Sequence, residues 1–186
     1  MNSPLIKQRG NFTVEFSIVG VFLSLLIVFT GDLIMKLSMK GKLERLSYSI
    51  ASVIKERTQL FEEEEYSVAD DEAREAYQIV VNSLTRSMGH FDPELFGFDL
   101  KVRQRSYYGL GNQMIEVSNW NSASVLGIGL PCPGVTPEVD LLFQTSWGRS
   151  ATLYQVTLCY QSSNWFGELF GKDYSLVAAN AFTLAR

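Results

Sequence analysis

The chain has 186 residues, 46% of them hydrophobic and 12% aromatic, with 16 basic against 20 acidic side chains. That is enough for one ordinary domain with a real core, and too apolar for intrinsic disorder. A net charge of −4 gives no bulk electrostatic basis for binding nucleic acid, and one histidine with two cysteines cannot build a histidine-rich or four-cysteine metal site.

The mean hydropathy of +0.04 averages over a very uneven distribution. The first ten residues, MNSPLIKQRG, carry Lys7 and Arg9. Phe16 to Gly31 then run 16 residues without a charge, and reaching back to Phe12 gives 20 residues with one carboxylate, Glu15. At helical rise this covers roughly 30 Å, about one bilayer hydrocarbon core. The N-terminal position and the lack of a polar stripe from Phe16 to Phe29 favour membrane insertion over a buried core helix. Thr30-Gly31-Asp32 is a poor signal-peptide cleavage site, and the stretch is long for that role. An uncleaved signal anchor remains open. A carboxylate at Glu15 costs on the order of 2.5–3.5 kcal/mol on insertion scales, so it requires a partner or a function.

The segment Arg9-Gly10-Asn11-Phe12-Thr13-Val14-Glu15-Phe16 sets Gly10, four residues, Glu15 and Phe16 ahead of the apolar run. It resembles the type IV prepilin processing motif. The resemblance implies cleavage after Gly10, Asn11 as the new N-terminus, and Glu15 as the residue that neutralises a neighbouring subunit's terminal amine. Two buried ions would then compensate each other. Type IV pilins commonly place phenylalanine directly after the glycine, whereas this chain has Asn11 there and Phe12 one later. A freer first residue is typical of the tight-adherence (Tad) branch of type IVb pilins. The length and globular tail are similar to its TadE/TadF minor pilins or pseudopilins, TadF more closely, with the resemblance carried by Met1 to Phe61.

Such a chain is implied to initiate, cap or regulate pilus assembly and surface adherence. The implied partners are a prepilin peptidase, the major Flp-type pilin, a TadE-like minor pilin, and the inner-membrane platform and ATPase machinery. The implied location is the inner membrane with the C-terminal domain periplasmic, then the pilus. Topology poses a conflict. Lys36, Lys40, Lys42 and Arg45 follow the apolar run, against Lys7 and Arg9 before it. A positive-inside count alone would keep the C-terminal part cytoplasmic. A reading from another class is an uncleaved single-pass, membrane-anchored periplasmic binding or sensor domain.

The domain plan is a leader over 1–10, a transmembrane helix over 11–31 and a pilin-like head over 32–186. From Leu33, apolar residues recur mostly at three- or four-residue steps through Leu37, Leu43, Leu46, Ile50, Val53 and Ile54, then past a break at Arg57 to Leu60, and no proline interrupts Asn11 to Phe61. This predicts one long helix, apolar all round and then amphipathic. Ser38, Gly41, Ser47, Ser49, Ala51 and Ser52 permit close approach. Glu62 to Glu65 read as a solvated linker rather than a calcium loop, because consecutive carboxylates do not converge. Ser67 has N-cap character for a helix over 67–89, with Ala73, Tyr77, Val80, Leu84 and Met88 on one face, Gly89 as its stop and His90 as an end residue.

After Phe96 the period changes to two. Phe98, Leu100 and Val102 predict a strand that turns at Gly109–Asn112 and returns over Met114–Val117. Leu141–Thr145 and Ala151–Gln161 form a predicted hairpin around Trp147-Gly148-Arg149, with Tyr154, Val156, Leu158 and Tyr160 on one face. Leu176–Leu184 reads as a last strand, its alanines leaving a helix open. The expected fold is α+β, the long helix packed on an antiparallel sheet of four or five strands.

Cys132 in Leu130-Pro131-Cys132-Pro133-Gly134 and Cys159 in a strand suit no CxxC pattern. In an oxidising periplasm a disulfide between Cys132 and Cys159, pinning loop to sheet, is expected, with two buried thiols as the alternative of a reducing cytoplasm. Ser118-Asn119-Trp120 repeats as Ser163-Asn164-Trp165. Trp120, Trp147 and Trp165 could form a partner surface or cap the sheet. No P-loop, GxSxG, HExxH or Cys–His pairing is present, so neither an enzyme nor a cofactor is expected.

Overall fold

The computed structural model describes residues 11–61, 68–106, 113–137, 141–142 and 151–185. One helix, α1, runs unbroken over Asn11–Phe61, 51 residues, as the proline-free sequence permits. Its length is roughly 75 Å, far more than a small domain can cover. Further along lie α2 (Asp70–Ser87), β1 (Phe96–Ser106), β2 (Gln113–Asn121), α3 (Ser122–Val125), β3 (Thr152–Gln161), α4 (Trp165–Leu169) and β4 (Leu176–Ala185). The strands form an antiparallel sheet in the order β2-β1-β3-β4.

The sheet's inner face follows from the period of two. Phe98 pairs with Leu158, Leu100 with Val156 and Val102 with Tyr154, and Val156 and Leu158 continue to Ala181 and Ala179. All are buried. Two helices cover this face side by side. Tyr77 of α2 sets its ring against Phe96, Phe98 and Trp120 at 6.0–6.1 Å, over β1 and β2. The outer half of α1 lies over β3 and β4. Its buried stripe is Leu43, Ser47, Ile50, Ala51 and Ile54, opposite the small residues Ala179, Ala181 and Ala185. The alanines of β4 therefore admit the helix. Leu33, Leu37, Val53 and Leu60 are exposed, because a run spaced by three and four spreads around the helix and only one stripe meets the sheet.

The outer face is not a solvated face. Leu153, Gln155, Thr157 and Cys159 are buried as completely as their neighbours, and Asp99 and Arg103 are buried too. The chain after α3 crosses this face, which explains why polar residues alternate there without reaching water.

Two expectations are corrected. Helix α2 begins at Asp70 with Ala69 in the N-cap position and no side-chain cap; Ser67 lies outside the described residues. Asp70, Asp71 and Glu72 in the first turn complement the helix's positive end instead. The strand Leu141–Thr145, expected to pair with Ala151–Gln161, is described only at residues 141–142, neither of which lies in a strand, and it is not the neighbour of β3. β3 is bonded along its length to β1 on one side and β4 on the other, so neither edge is open. The turns at Gly109–Asn112 and Trp147–Arg149, and the run Glu62–Glu65, lie outside the described residues.

Candidate functional site

The segment that resembles a prepilin processing motif straddles the start of α1. Gly10 lies outside the described residues; Asn11 opens the helix, and Glu15 and Phe16 occupy its first turns. The rings of Phe12 and Phe16 are 6.3 Å apart on one face, as the spacing i, i+4 dictates. From Phe12 to Phe29 every side chain is exposed, and the helix is long and apolar enough to cross a membrane. Its hydroxyls suit that surrounding. Ser17 donates to Thr13 O at 2.7 Å, Ser24 to Val21 O at 2.8 Å and Thr30 to Leu26 O at 2.9 Å. Each is satisfied within the helix, so none demands water.

Among the described residues, the head meets the helix near its apolar boundary. Phe29 packs edge-on to Phe166 with ring centroids 4.7 Å apart. One turn on, Asp32 is only 7% exposed and is held by Lys36 Nζ at 2.6 Å. Lys36 also reaches Asn164 Oδ1 at 3.5 Å. A buried carboxylate demands such a partner. Only the Asp32–Lys36 pair, four residues apart, is local; the contacts of Phe29 with Phe166 and Lys36 with Asn164 were not legible from sequence, since each joins residues more than 120 positions apart. The period of α1 alone gives no sign of which turn the head would meet.

Cys132 and Cys159 form a disulfide across 27 residues, which ties the outer-face segment to β3. Gln155 Nε2 donates to Val135 O at 2.8 Å beside it, and Gln155 accepts from Arg103, which also pairs with Glu116 at 3.3 Å. Leu130 N donates to Phe96 O at 3.1 Å. Gly97 makes this crossing feasible. A Cβ there would run into Leu130 O and approach both sulfurs at 2.6–2.7 Å. No local pattern in the sequence marks Gly97 for this role.

The three tryptophans do not make one surface. Trp120 is 2% exposed in the core, between Tyr77 and Phe98, while Trp165 is 62% exposed on α4 and Trp147 lies outside the described residues. Trp120 belongs to the inner face because it pairs with Leu100. The partner-surface expectation is therefore corrected for Trp120. Among the described residues no group of three or more His, Cys, Asp or Glu side chains could hold a metal. Arg57 bridges α1 to α2, its guanidinium 3.0 Å from Glu72 and 2.7 Å from Glu75, which holds its pKa above the ordinary value.

A membrane-length helix that continues into the core of an α+β head defines a pilin-like protein with a stalk and a head. The family model TadF, described as “Putative tight adherence pilin protein F”, matches residues 5–186, and the chain belongs to that family. No curated protein and no solved structure matches it. Family membership makes the chain a component of the Tad pilus system that works with the pilus assembly machinery. It implies a structural rather than an enzymatic role, and with the apolar helix it suggests a membrane-anchored protein.

Proposed function

We propose that this chain is a minor pilin or pseudopilin that takes part in initiating, capping or regulating Tad pilus assembly and surface adherence. The observation that carries the reading is α1 itself. One helix presents an uncovered apolar half of membrane length and a second half buried in the head. Such a helix serves two surroundings of the same polarity, a bilayer before assembly and a bundle of neighbouring helices afterwards.

In this reading a prepilin peptidase cuts between Gly10 and Asn11. Glu15, buried among neighbouring subunits, offsets an N-terminal amine, since an unpaired charge there is costly. The partners are the major Flp-type pilin, a TadE-like minor pilin, and the inner-membrane platform with its ATPase. The head resides in the periplasm before assembly and, where the chain enters the filament, outside the cell.

The substitution Glu15→Val removes the charge without lowering hydropathy. The variant should fractionate with the inner membrane like wild type yet be lost from the assembled system recovered by crosslinking. Wild-type recovery would contradict the role of Glu15. Orientation is tested separately by alkaline phosphatase fused after Arg186, which should be active in intact bacteria despite the basic residues that follow the apolar run.

A further inference from the structure

The segment that leans on Phe29 carries more apolar surface than that contact uses. Trp165, Leu169 and Phe170 are each about three-fifths exposed, and the Phe170 ring meets Phe166 at a tilt with centroids 4.9 Å apart. Phe166 in turn meets Phe29. The patch is therefore continuous with the apolar half of α1, through a ladder of three rings.

Its depth follows from helix geometry. Phe29 lies about 26 Å along the axis from Phe12, inside a hydrocarbon layer of roughly 30 Å, and Lys36 lies about 10 Å further on. Phe166 shares the depth of Phe29, whereas Asn164 stands by Lys36 at the polar side. The segment thus runs from the headgroup level down to the acyl boundary. Exposed Lys172 is offset by exposed Glu168 and Asp173, and Lys36 is held by Asp32, so the charges beside the segment nearly cancel and its apolar side chains carry the contact.

The segment is also built to hold its shape. Asn164 Nδ2 donates to Lys172 O at 2.7 Å, Tyr174 N donates to Asn164 Oδ1 at 3.3 Å, and Lys172 N returns to Gly167 O at 2.9 Å. Gly167 is buried against Asn164 and Lys172 O, where a Cβ would collide with both. Gly171 supplies the left-handed turn at φ +63°. Aromatic and leucine side chains held rigidly at the end of a membrane-length helix match an interfacial anchor, in which an apolar face sinks about 5–10 Å into the boundary region.

We propose that Trp165–Phe170 is a second membrane contact, seated in the headgroup–acyl boundary of the bilayer that α1 crosses. It fixes the tilt of the head over the membrane before assembly and must leave lipid when the subunit is extracted. This rests on the membrane-anchored reading of α1. The test uses the full chain in vesicles of phosphatidylethanolamine and phosphatidylglycerol, with lipids brominated either just below the headgroup or near the chain ends. Wild type minus Trp165→Phe isolates the Trp165 emission. Adding Phe170→Trp to the Trp165→Phe background repeats the measurement at a second site. The expected result is blue-shifted Trp165 emission that loses about half its intensity to the shallow bromines and less to the deep ones. Water-like, unquenched emission from both positions, with the chain still floating with the vesicles, would overturn this contact and leave the anchor intact. A chain that does not float with the vesicles would overturn both. Shielding that appears only at high protein-to-lipid ratio would assign the patch to a second copy, and so overturn the proposal.

Discussion

The Thr183 hydroxyl donates to the Ala51 carbonyl at 3.2 Å, joining the last strand to the first helix across 132 residues. It marks the line along which β4 and α1 approach each other, with Ser47 and Ala51 on one side and Ala179, Ala181 and Ala185 on the other. The stalk is thereby part of the core of the head, so a displacement of the helix moves the sheet with it.

Small residues at this contact should matter more than its hydrogen bond. Ala51→Leu would force extra volume between helix and sheet and should cost about 1–3 kcal/mol. Thr183→Val keeps the shape, and the Ala51 carbonyl retains its helical bond, so about 1 kcal/mol or less is expected. Thermal unfolding of the detergent-solubilised chain would rank them. A larger loss from Thr183→Val would contradict the packing account.

The outer-face crossing gives a paired prediction. Removing the disulfide with Cys132→Ser and Cys159→Ser should cost roughly 2–4 kcal/mol. Gly97→Ala should be destabilising as well, because its methyl group meets Leu130 O and both sulfurs. The loss should persist in the cysteine-free background, since the carbonyl remains in the way. If Gly97→Ala left the unfolding midpoint unchanged in either background, that would count against this geometry.

The tryptophans should behave oppositely. Trp120→Ala empties a core site against Tyr77 and Phe98 and should cost about 3–5 kcal/mol. Trp165→Ala, at an exposed position, should stay within about 0.5 kcal/mol in detergent. Denaturation midpoints of the two variants check this, and similar losses would show Trp165 to be a core residue.

These cases show what the sequence could carry. The long helix, α2 and β1 were legible because each has a local signal: an unbroken 51-residue stretch without proline, one apolar stripe, or a period of two; β4 was legible only in part, because its alanines also suit a helix. The partner of β3 was not. Both its faces are buried, so alternation does not reveal which strands flank it, and adjacency in sequence suggested Leu141–Thr145 where β1 and β4 stand. The same limit hid Trp120, which looks like its exposed counterpart Trp165 in a matching tripeptide. Gly97 and the Phe29–Phe166 contact exist only once distant segments meet.

The loop bearing α4 should resist acid. Asp173 accepts from Ser175 N at 2.8 Å, and hydrogen bonding by Ser175, aided by the charge of Lys36, holds its carboxyl below the ordinary value. A group whose pKa is depressed on folding contributes stability that is present above its unfolded pKa and lost as pH falls through the folded one. The loop should therefore keep its geometry at neutral and mildly acidic pH and loosen only below the usual carboxylate range. Carboxyl-carbon NMR would locate the Asp173 midpoint; a midpoint within or above that range would contradict the bond.

The most direct test of the pilin reading is the N-terminus of the chain recovered from bacteria with a functional prepilin peptidase. Intact-mass and terminal-sequence measurements should find Asn11 first, and a Gly10→Ala chain should keep Met1 and fail to assemble. A wild-type chain that keeps Met1 while the peptidase processes its other substrates would contradict the account.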